Sequence, residues 1–262
     1  MKLSIVIVNY NTKDLTLACL KSLEKYPLTG EFEVILVDNA SQDGSEKLFS
    51  KFKTSKYKFK YIYRDQNLGF SKGNNVGIRE SKSDYVLLLN SDTEVLKGSL
   101  DRYLYDTHKL TDAGVVGARL LNSDKTVQSS VFRLPNIVRA FRQYILRQGN
   151  ILDKYYPTSK DVIEVESVVG AAFMITPKAL KKVGGLPEKY FMYFEDLDYC
   201  REVRKKGLKV YYLPQVEIVH HHGKSGGDWR KLVKSSKIYH GALTHYIIFF
   251  ITWFGQKLSK IK

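Results

Sequence analysis

Asp92 closes the polar triplet Asn90-Ser91-Asp92, which cuts short an apolar run at residues 86–89. A carboxylate fixed where a buried strand ends can hold a hard divalent cation, and such a cation can neutralise a diphosphate. The same three residues also make an ordinary Asx or Ser turn. Two more apolar runs end in polar clusters, Asn9-Tyr10-Asn11 and Asp38-Asn39. Asp38 could accept a hydrogen bond from a base N–H or a ribose hydroxyl, or could cap a helix. Further along, Glu195-Asp196-Leu197-Asp198 follows the aromatic stretch at residues 190–194. Acids at a helix start are favourable against its dipole. A carboxylate bordered by aromatic rings in a closed site can also have its pKa raised into the range of a general base. Last comes His220-His221-His222. Neighbours on a strand face opposite ways, so His220 and His222 at most share a side, and a metal site there needs carboxylates or histidines from elsewhere, which Asp92 would supply.

These residues need elements to bring them together. Residues 3–8 and 34–37 are continuous apolar runs suited to strands covered on both faces, whereas residues 58–63 alternate and suit a more exposed strand. Asn11 or Thr12 can cap a helix with the apolar stripe Leu15, Ala18, Cys19 and Leu23, and a second helix should run from Ser45 through Phe52. Residues 67–77 read as an Asn- and Gly-rich loop opening a helix to about Ser81. With no G-x-G-x-x-G and no Lys-Ser/Thr pair, they form neither a dinucleotide fingerprint nor a Walker loop. Residues 99–110 read as a helix, and residues 115–121 and 126–131 as a strand pair.

Strands alternating with helices predict a largely parallel sheet with helices on both sides, whose strand ends share one edge and face a common crevice. Residues 133–159 turn basic and aromatic and read as a mobile insertion with a helix at 136–148. A β-rich stretch at 162–175, a short helix opened by Pro177, a helix at 195–206, short strands at 209–213 and 217–219, and a helical tail from Trp229 complete the pattern.

With 262 residues and 44% apolar content, the chain suits one large α/β domain or a domain with a small appendage. Two isolated cysteines, Cys19 and Cys200, fit a reducing cytosol better than secretion, and the apolar start at residues 3–8 is too short for a signal peptide. A net charge of +15 predicts attraction to something anionic: nucleic acid, an acidic membrane or phosphorylated substrates. No nucleic-acid motif accompanies the basic patches.

In order and spacing, the segments SIVIVNYN at 4–11, VILVDNASQDGS at 34–45, NLGFSKGNNVGI at 67–78, LLLNSDTEV at 87–95, the stretch 170–207 containing YFMYFEDLDYC, and HHHGKS at 220–225 are joined as in a known family. Over residues 1–227 the chain resembles the family 2 glycosyltransferases of GT-A fold, in particular bacterial rhamnosyltransferase-like members that build cell-surface polysaccharides. The resemblance implies a Rossmann-like three-layer αβα sandwich over 1–227, with residues 228–262 as a helical tail. It implies a nucleoside-diphosphate sugar donor held by Tyr10, Asn11, Asp38, Asn67, Gly69, Asn90 and Asp92, with Asp38 on the base. It implies Mg²⁺ or Mn²⁺ on Asp92 and His220, and Asp196 as the base that activates a hydroxyl of a glycan or lipid-linked acceptor. Glu195 and Asp198 are candidates to support the base or meet the acceptor. Asn90 stands where the family's DxD motif has its first Asp, which removes one carboxylate from the metal site.

The run at residues 245–254 is apolar and aromatic but well short of the roughly 20 residues a spanning helix needs. It can pack on the domain or a partner, or lie in a membrane interface with its flanking lysines on anionic lipid. Peripheral attachment to the inner membrane face is the expectation taken forward. A nucleotidyltransferase and a basic nucleic-acid-binding protein are the competing functions.

Overall fold

In the computed structural model, which describes residues 3–221 and 228–259, the first half alternates strand and helix as the periodicity requires. β1 (Leu3–Asn9), β2 (Phe32–Asn39), β3 (Lys58–Arg64) and β4 (Val86–Leu89) run parallel in the order β3-β2-β1-β4. They are joined by α1 (Lys13–Lys25), α2 (Ser45–Phe49) and α3 (Gly69–Glu80). β2 is buried at every position because both its faces are covered, whereas β3, at the edge, alternates. Strand alternation sorts β1 into two cores. Leu3, Ile5 and Ile7 pack with Cys19, Leu20 and Leu23 of α1, and Val6 faces the opposite helix layer.

The second half adds β5 (Thr93–Val95), α4 (Ser99–Lys109), β6 (Ala113–Leu121), β7 (Val127–Gln128), β8 (Val131–Phe132), α5 (Ile137–Tyr144), β9 (Ile163–Val165), β10 (Ser167–Val168) and β11 (Ala172–Ile175). α6 (Pro177–Lys182), α7 (Glu195–Lys205), β12 (Lys209–His220), α8 (Trp229–His240) and α9 (Ala242–Ser259) follow. β11 slots antiparallel between β4 and β6, β12 lies parallel to β6, and β5 closes the path antiparallel to β12. The sheet is mixed but mostly parallel. α1 and α4 cover one face, and α6 and α7 the other, giving the expected three layers.

Several local expectations shift. The supposed loop at 67–77 is mostly α3, which starts at Gly69, because Asn67 supplies the turn: its Oδ1 accepts from the Gly69 N–H at 2.9 Å. In α1 the buried stripe is Thr16, Cys19, Leu20 and Leu23, rotated from the predicted one because Thr16 bonds inward. α2 stops at Phe49, and the two short strands at 209–219 are one strand with a register shift between Leu213 and Glu217. Within residues 133–159 the start of α5 is anchored. Asn136 caps α5 by accepting from the Arg139 N–H, and the Arg139 guanidinium donates to both Glu166 carboxylate oxygens at 2.6 Å. A bidentate pair of this kind is specific in geometry as well as strong.

Side chains stitch the carboxyl ends of β1, β2 and β4. Asn9 Oδ1 accepts from the Thr12 hydroxyl at 2.8 Å and the Thr16 hydroxyl at 2.9 Å, while its Nδ2 donates to Ser41 Oγ at 2.9 Å and Asp38 Oδ2 at 3.3 Å. The Thr12 hydroxyl also meets Ser91 Oγ at 2.9 Å. All of this lies in the interior, where each polar group left unpaired costs about 1–3 kcal/mol. Asn9→Ala should therefore lower the urea midpoint by an amount equivalent to about 3 kcal/mol, with unchanged denaturant slope. A change within about 0.5 kcal/mol would mean the stitch carries no stability.

Candidate active site

The chain leaves β4 and turns around one carbonyl. The Asn90 N–H donates to Ala171 O at 2.9 Å, and the Thr93 N–H and hydroxyl both donate to Asn90 O, at 3.2 and 2.7 Å. β5 then pairs with the end of β12, with Thr93 opposite His220, and the His221 N–H donates to Asp92 O at 2.8 Å. This backbone arrangement seats Asp92 Oδ1 3.3 Å from His220 Nε2, with 4% and 5% of the two residues exposed. His220 Nδ1 lies 2.7 Å from Gln128 Oε1, an amide oxygen that only accepts, so Nδ1 carries a proton. Nε2 is the ring atom that faces the carboxylate. His221 points the other way, to Glu94 Oε1 and Ser123 Oγ at 2.7 Å each, as strand alternation demands. His222, with Gly223 and Ser225, lies outside the described residues.

Across a cavity of about 550 Å³ from this pair stands the start of α7. Tyr193 and Phe194 enter it with φ of 71° and 69°, left-handed conformations rare for side chains this bulky. Strain of this kind persists only where surrounding structure enforces it. It turns Glu195 and Asp196 onto the cavity wall. Asp196 is half-buried; its Oδ2 accepts from the Gly170 N–H at 3.1 Å and its Oδ1 from the Leu197 N–H at 2.8 Å. Burial raises its pKa, opposed by those two N–H groups and by the Lys154 charge. Glu195 is pushed well above the usual carboxylate range by burial and then by the Asp196 charge, and its Oε2 has no hydrogen-bond partner. Burial pushes both adjacent acids up, and of the two Asp196 has the N–H donors that favour its ionised form.

Asp198 sits about 200° around the helix from Asp196. It is buried, accepting from Lys189 Nζ at 2.7 Å and the Tyr190 hydroxyl at 2.9 Å, and pairing with Arg201. Burial works to raise its pKa, but Lys189, Tyr190 and Arg201 outweigh that and hold it below the usual range. Arg201 in turn stacks on Tyr239 of α8, 4.0 Å from the ring centre, so Asp198 ties α7 to the helices that follow.

One cavity thus gathers Asn90, Asp92, Glu195, Asp196 and His220, and it excludes the remaining predicted residues. Asp38 is wholly buried, accepting from Asn9 Nδ2, the Ser41 N–H and the Tyr61 hydroxyl. Asn11 accepts from the Gln42 N–H, and Tyr10 stands exposed beside it. Asn67 and Gly69 set the start of α3. Gly69 has φ of 80°, and a Cβ there would lie 2.4 Å from Phe191 O, so no other residue fits without moving the loop before α7. The sequence reading missed Phe70, Arg133 and Lys154 on the cavity wall, whereas Tyr193 belongs to the aromatic stretch expected beside Asp196. Arg133 and Lys154 were visible only as part of a basic segment, because their approach to α7 depends on long-range packing.

The layered sheet with its site at the carboxyl edge is a GT-A fold. Solved structures of similar fold include S. aureus TarS 1–349 in complex with UDP-GlcNAc, with TM-score 0.64 and 18% identity, covering 92% of this chain and 66% of that one. Another is GalNAc-T7 with UDP, GalNAc and Mn²⁺, with TM-score 0.66 and 14% identity, covering 85% and 44%. The model of glycosyl transferase family 2 matches residues 4–183, and the chain belongs to that family. Similar curated proteins include the low-salt glycan biosynthesis hexosyltransferase Agl10 of Haloferax volcanii, 28% identical over 83% of this chain and 66% of its own length. The N-acetylglucosaminyl-diphospho-decaprenol L-rhamnosyltransferase of Mycobacterium tuberculosis is 25% identical over 74% and 68%. The chain therefore spans about two thirds of the length of these relatives.

Glu195 gives a test of the site's electrostatics. Its folded pKa lies above its unfolded value of about 4.3, so the stability gained by keeping its proton is complete below that pH and lost as pH rises toward the folded value. Glu195→Gln removes this loss. Its stability advantage over the wild type should grow as pH rises above about 4.3, by up to about 1.4 kcal/mol per pH unit. A pH-independent difference in urea midpoints would show that Glu195 ionises freely.

Proposed function

We propose that the chain is an inverting glycosyltransferase. In this reading it transfers rhamnose or a similar sugar from a dTDP- or UDP-linked donor to a hydroxyl of a glycan or lipid-linked acceptor in cell-surface polysaccharide synthesis. The observation that carries it is the pairing, in one cavity, of the buried Asp92–His220 couple with a separate carboxylate, Asp196, poised to take a proton. Family membership and the names of the relatives support the same chemistry. Residues 1–227 form the catalytic unit in this reading, and the helices after 228 an appended element. The appended helices, α9 above all, provide a peripheral seat at the inner face of a membrane.

Asp92 and His220 are the residues that would hold a divalent cation. Their fit rests on two buried donor atoms 3.3 Å apart, one of them an imidazole nitrogen whose ring is already oriented by Gln128. Among the described residues no third His, Cys, Asp or Glu converges on them, which leaves coordination positions for donor oxygens and water. The mixed oxygen and nitrogen set favours Mn²⁺ over Mg²⁺, which prefers oxygen alone. When bound, the cation would supply positive charge for the departing nucleoside diphosphate. Asn90, on the same turn, presents a neutral amide in place of a second carboxylate and so limits negative charge facing that diphosphate.

Asp196 accepts the proton of the acceptor hydroxyl as its oxygen attacks the anomeric carbon. The N–H groups of Gly170 and Leu197 fix the carboxylate for that transfer. Attack from the face opposite the leaving group inverts the configuration in a single displacement, so no covalent nucleophile is needed. Glu195, whose pKa burial and the Asp196 charge push up, stands beside the base. Lys154 and Arg133 add positive charge to the cavity, and Phe70 and Tyr193 line its wall.

The function is tested with a panel of nucleotide sugars, measuring release of nucleoside diphosphate with and without Mn²⁺. Metal-stimulated release that rises with acceptor supports the reading; pyrophosphate release from a nucleoside triphosphate and a sugar phosphate, without transfer, contradicts it. Asp196→Asn should lower kcat by about 10²–10⁴-fold while donor affinity by calorimetry stays within about threefold. Because burial raises the Asp196 pKa, kcat/KM should fall as pH drops through a value above the ordinary carboxylate figure of about 3.9. In metal titrations Asp92→Ala should weaken Mn²⁺-dependent donor binding more than His220→Ala, because only the carboxylate brings charge. The reverse order would contradict the charge argument, and a wild type indifferent to chelator removes the cation from this site.

A further inference from the structure

α9 turns most of its large apolar side chains outward. On its packed side lie His245, whose Nδ1 is 2.8 Å from Ser236 Oγ, and Gly255, where a Cβ would lie 2.4 Å from Tyr144 O of α5, with Ile248, Ile251 and Thr252 half-buried between them. Its outer side carries Leu243, Phe249, Phe250, Trp253 and Phe254, each between 41% and 77% exposed. Beside it, α8 exposes Trp229, and α5, on which α9 packs, exposes Val138 and Phe141. An apolar face on this scale marks an interaction site.

The charge around it identifies the partner. Residues 229–262 contain seven Lys and Arg and no Asp or Glu, and residues 133–148 contain four Arg and no acid. Lys237 and Lys257 lie over the rings of Tyr246 and Trp253, 4.8 and 4.3 Å from their centres, flanking the aromatic face with cations. Among the described residues no helix is long and apolar enough to cross a membrane. A second copy of this chain would bring an equally basic rim against the first, on a protein whose net charge is already +15.

We propose that α5, α8 and α9 form one platform that lies flat on an anionic lipid surface, with the α9 aromatics in the interface and the surrounding lysines and arginines on the headgroups. The platform is continuous with the cavity: Pro135 and Leu152, which flank α5, and Leu232 of α8 line it. A lipid-anchored acceptor would thus meet Asp196 without leaving the surface. That last step alone rests on the transferase reading; the surface does not.

The test is flotation of the full chain with vesicles of phosphatidylcholine alone or with phosphatidylglycerol. Trp229→Phe leaves Trp253 as the sole tryptophan, and its fluorescence should shift to the blue only with the anionic vesicles. Phe250→Ser with Trp253→Ser, both at exposed positions, should lower vesicle affinity at least about tenfold. Lys237→Gln and Lys257→Gln should each lower it by about fivefold at low salt and by less at high salt. Hydrolysis of soluble donor should be unchanged in all four variants. Equal binding to neutral and anionic vesicles, or no vesicle binding together with a dimer that Phe250→Ser and Trp253→Ser dissolve, overturns the proposal, the second result in favour of a contact between copies. Vesicle binding by a protein that releases no nucleotide supports the platform and counts against the transferase reading alone.

Discussion

A carboxylate taken out of water has to be balanced, and Asp92 is 4% exposed. The construction of this edge of the sheet follows from that need. β5 reverses direction after the Asp92 turn and pairs with β12, which puts His220 opposite Thr93 and its imidazole beside the carboxylate. Gln128, at the end of β7, holds the far side of the ring. Each partner arrives on a different strand, so neither His220 nor Gln128 can be positioned until the mixed half of the sheet has formed. The parallel half performs the complementary task. Asn9, Thr12 and Ser91 lock the strand ends so that the turn carrying Asp92 cannot drift.

The same balance, resolved differently, separates the two acids that open α7. Asp196 has two backbone donors and a nearby lysine, and Glu195 has an oxygen with no partner. Adjacent acids in one site divide the roles when their surroundings push their ionisation apart. The left-handed turn through Tyr193 and Phe194 makes this possible by aiming both side chains at the cavity, while Asp198, on the far side of the helix, satisfies its own charge with Lys189 and Arg201. The strained entry to α7 and the Asp198 ion pairs belong together, since the second anchors the helix that the first has to bend into.

Much of this was legible in the sequence, for physical reasons that differ by residue. Residues 3–8 and 34–37 announced covered strands because continuous apolar runs have few other homes, and the polar residues ending them marked the site's edge. Asp92, Asp196 and His220 stood out as chemistry at strand and helix ends, and they do share a cavity. What could not be read was how polar residues would spend their hydrogen bonds. Asp38 looked available to a ligand, yet its oxygens already face three protein donors. Thr16 lay outside the predicted apolar stripe, yet it turns inward to Asn9. The antiparallel insertion of β11 and the approach of Lys154 to α7 rest on long-range packing, which local periodicity does not encode.

The central claim is that Asp92 and His220 jointly seat the cation and diphosphate of a sugar nucleotide while Asp196 stands apart as base. A crystal of the chain grown with Mn²⁺ and a nucleoside diphosphate, measured at the manganese absorption edge, tests it most directly. The account predicts an anomalous peak bound to both Asp92 and His220 and bridged to the diphosphate, with Asp196 free of metal. A peak on Asp196 or Glu195, or a diphosphate held away from Asp92, would contradict it.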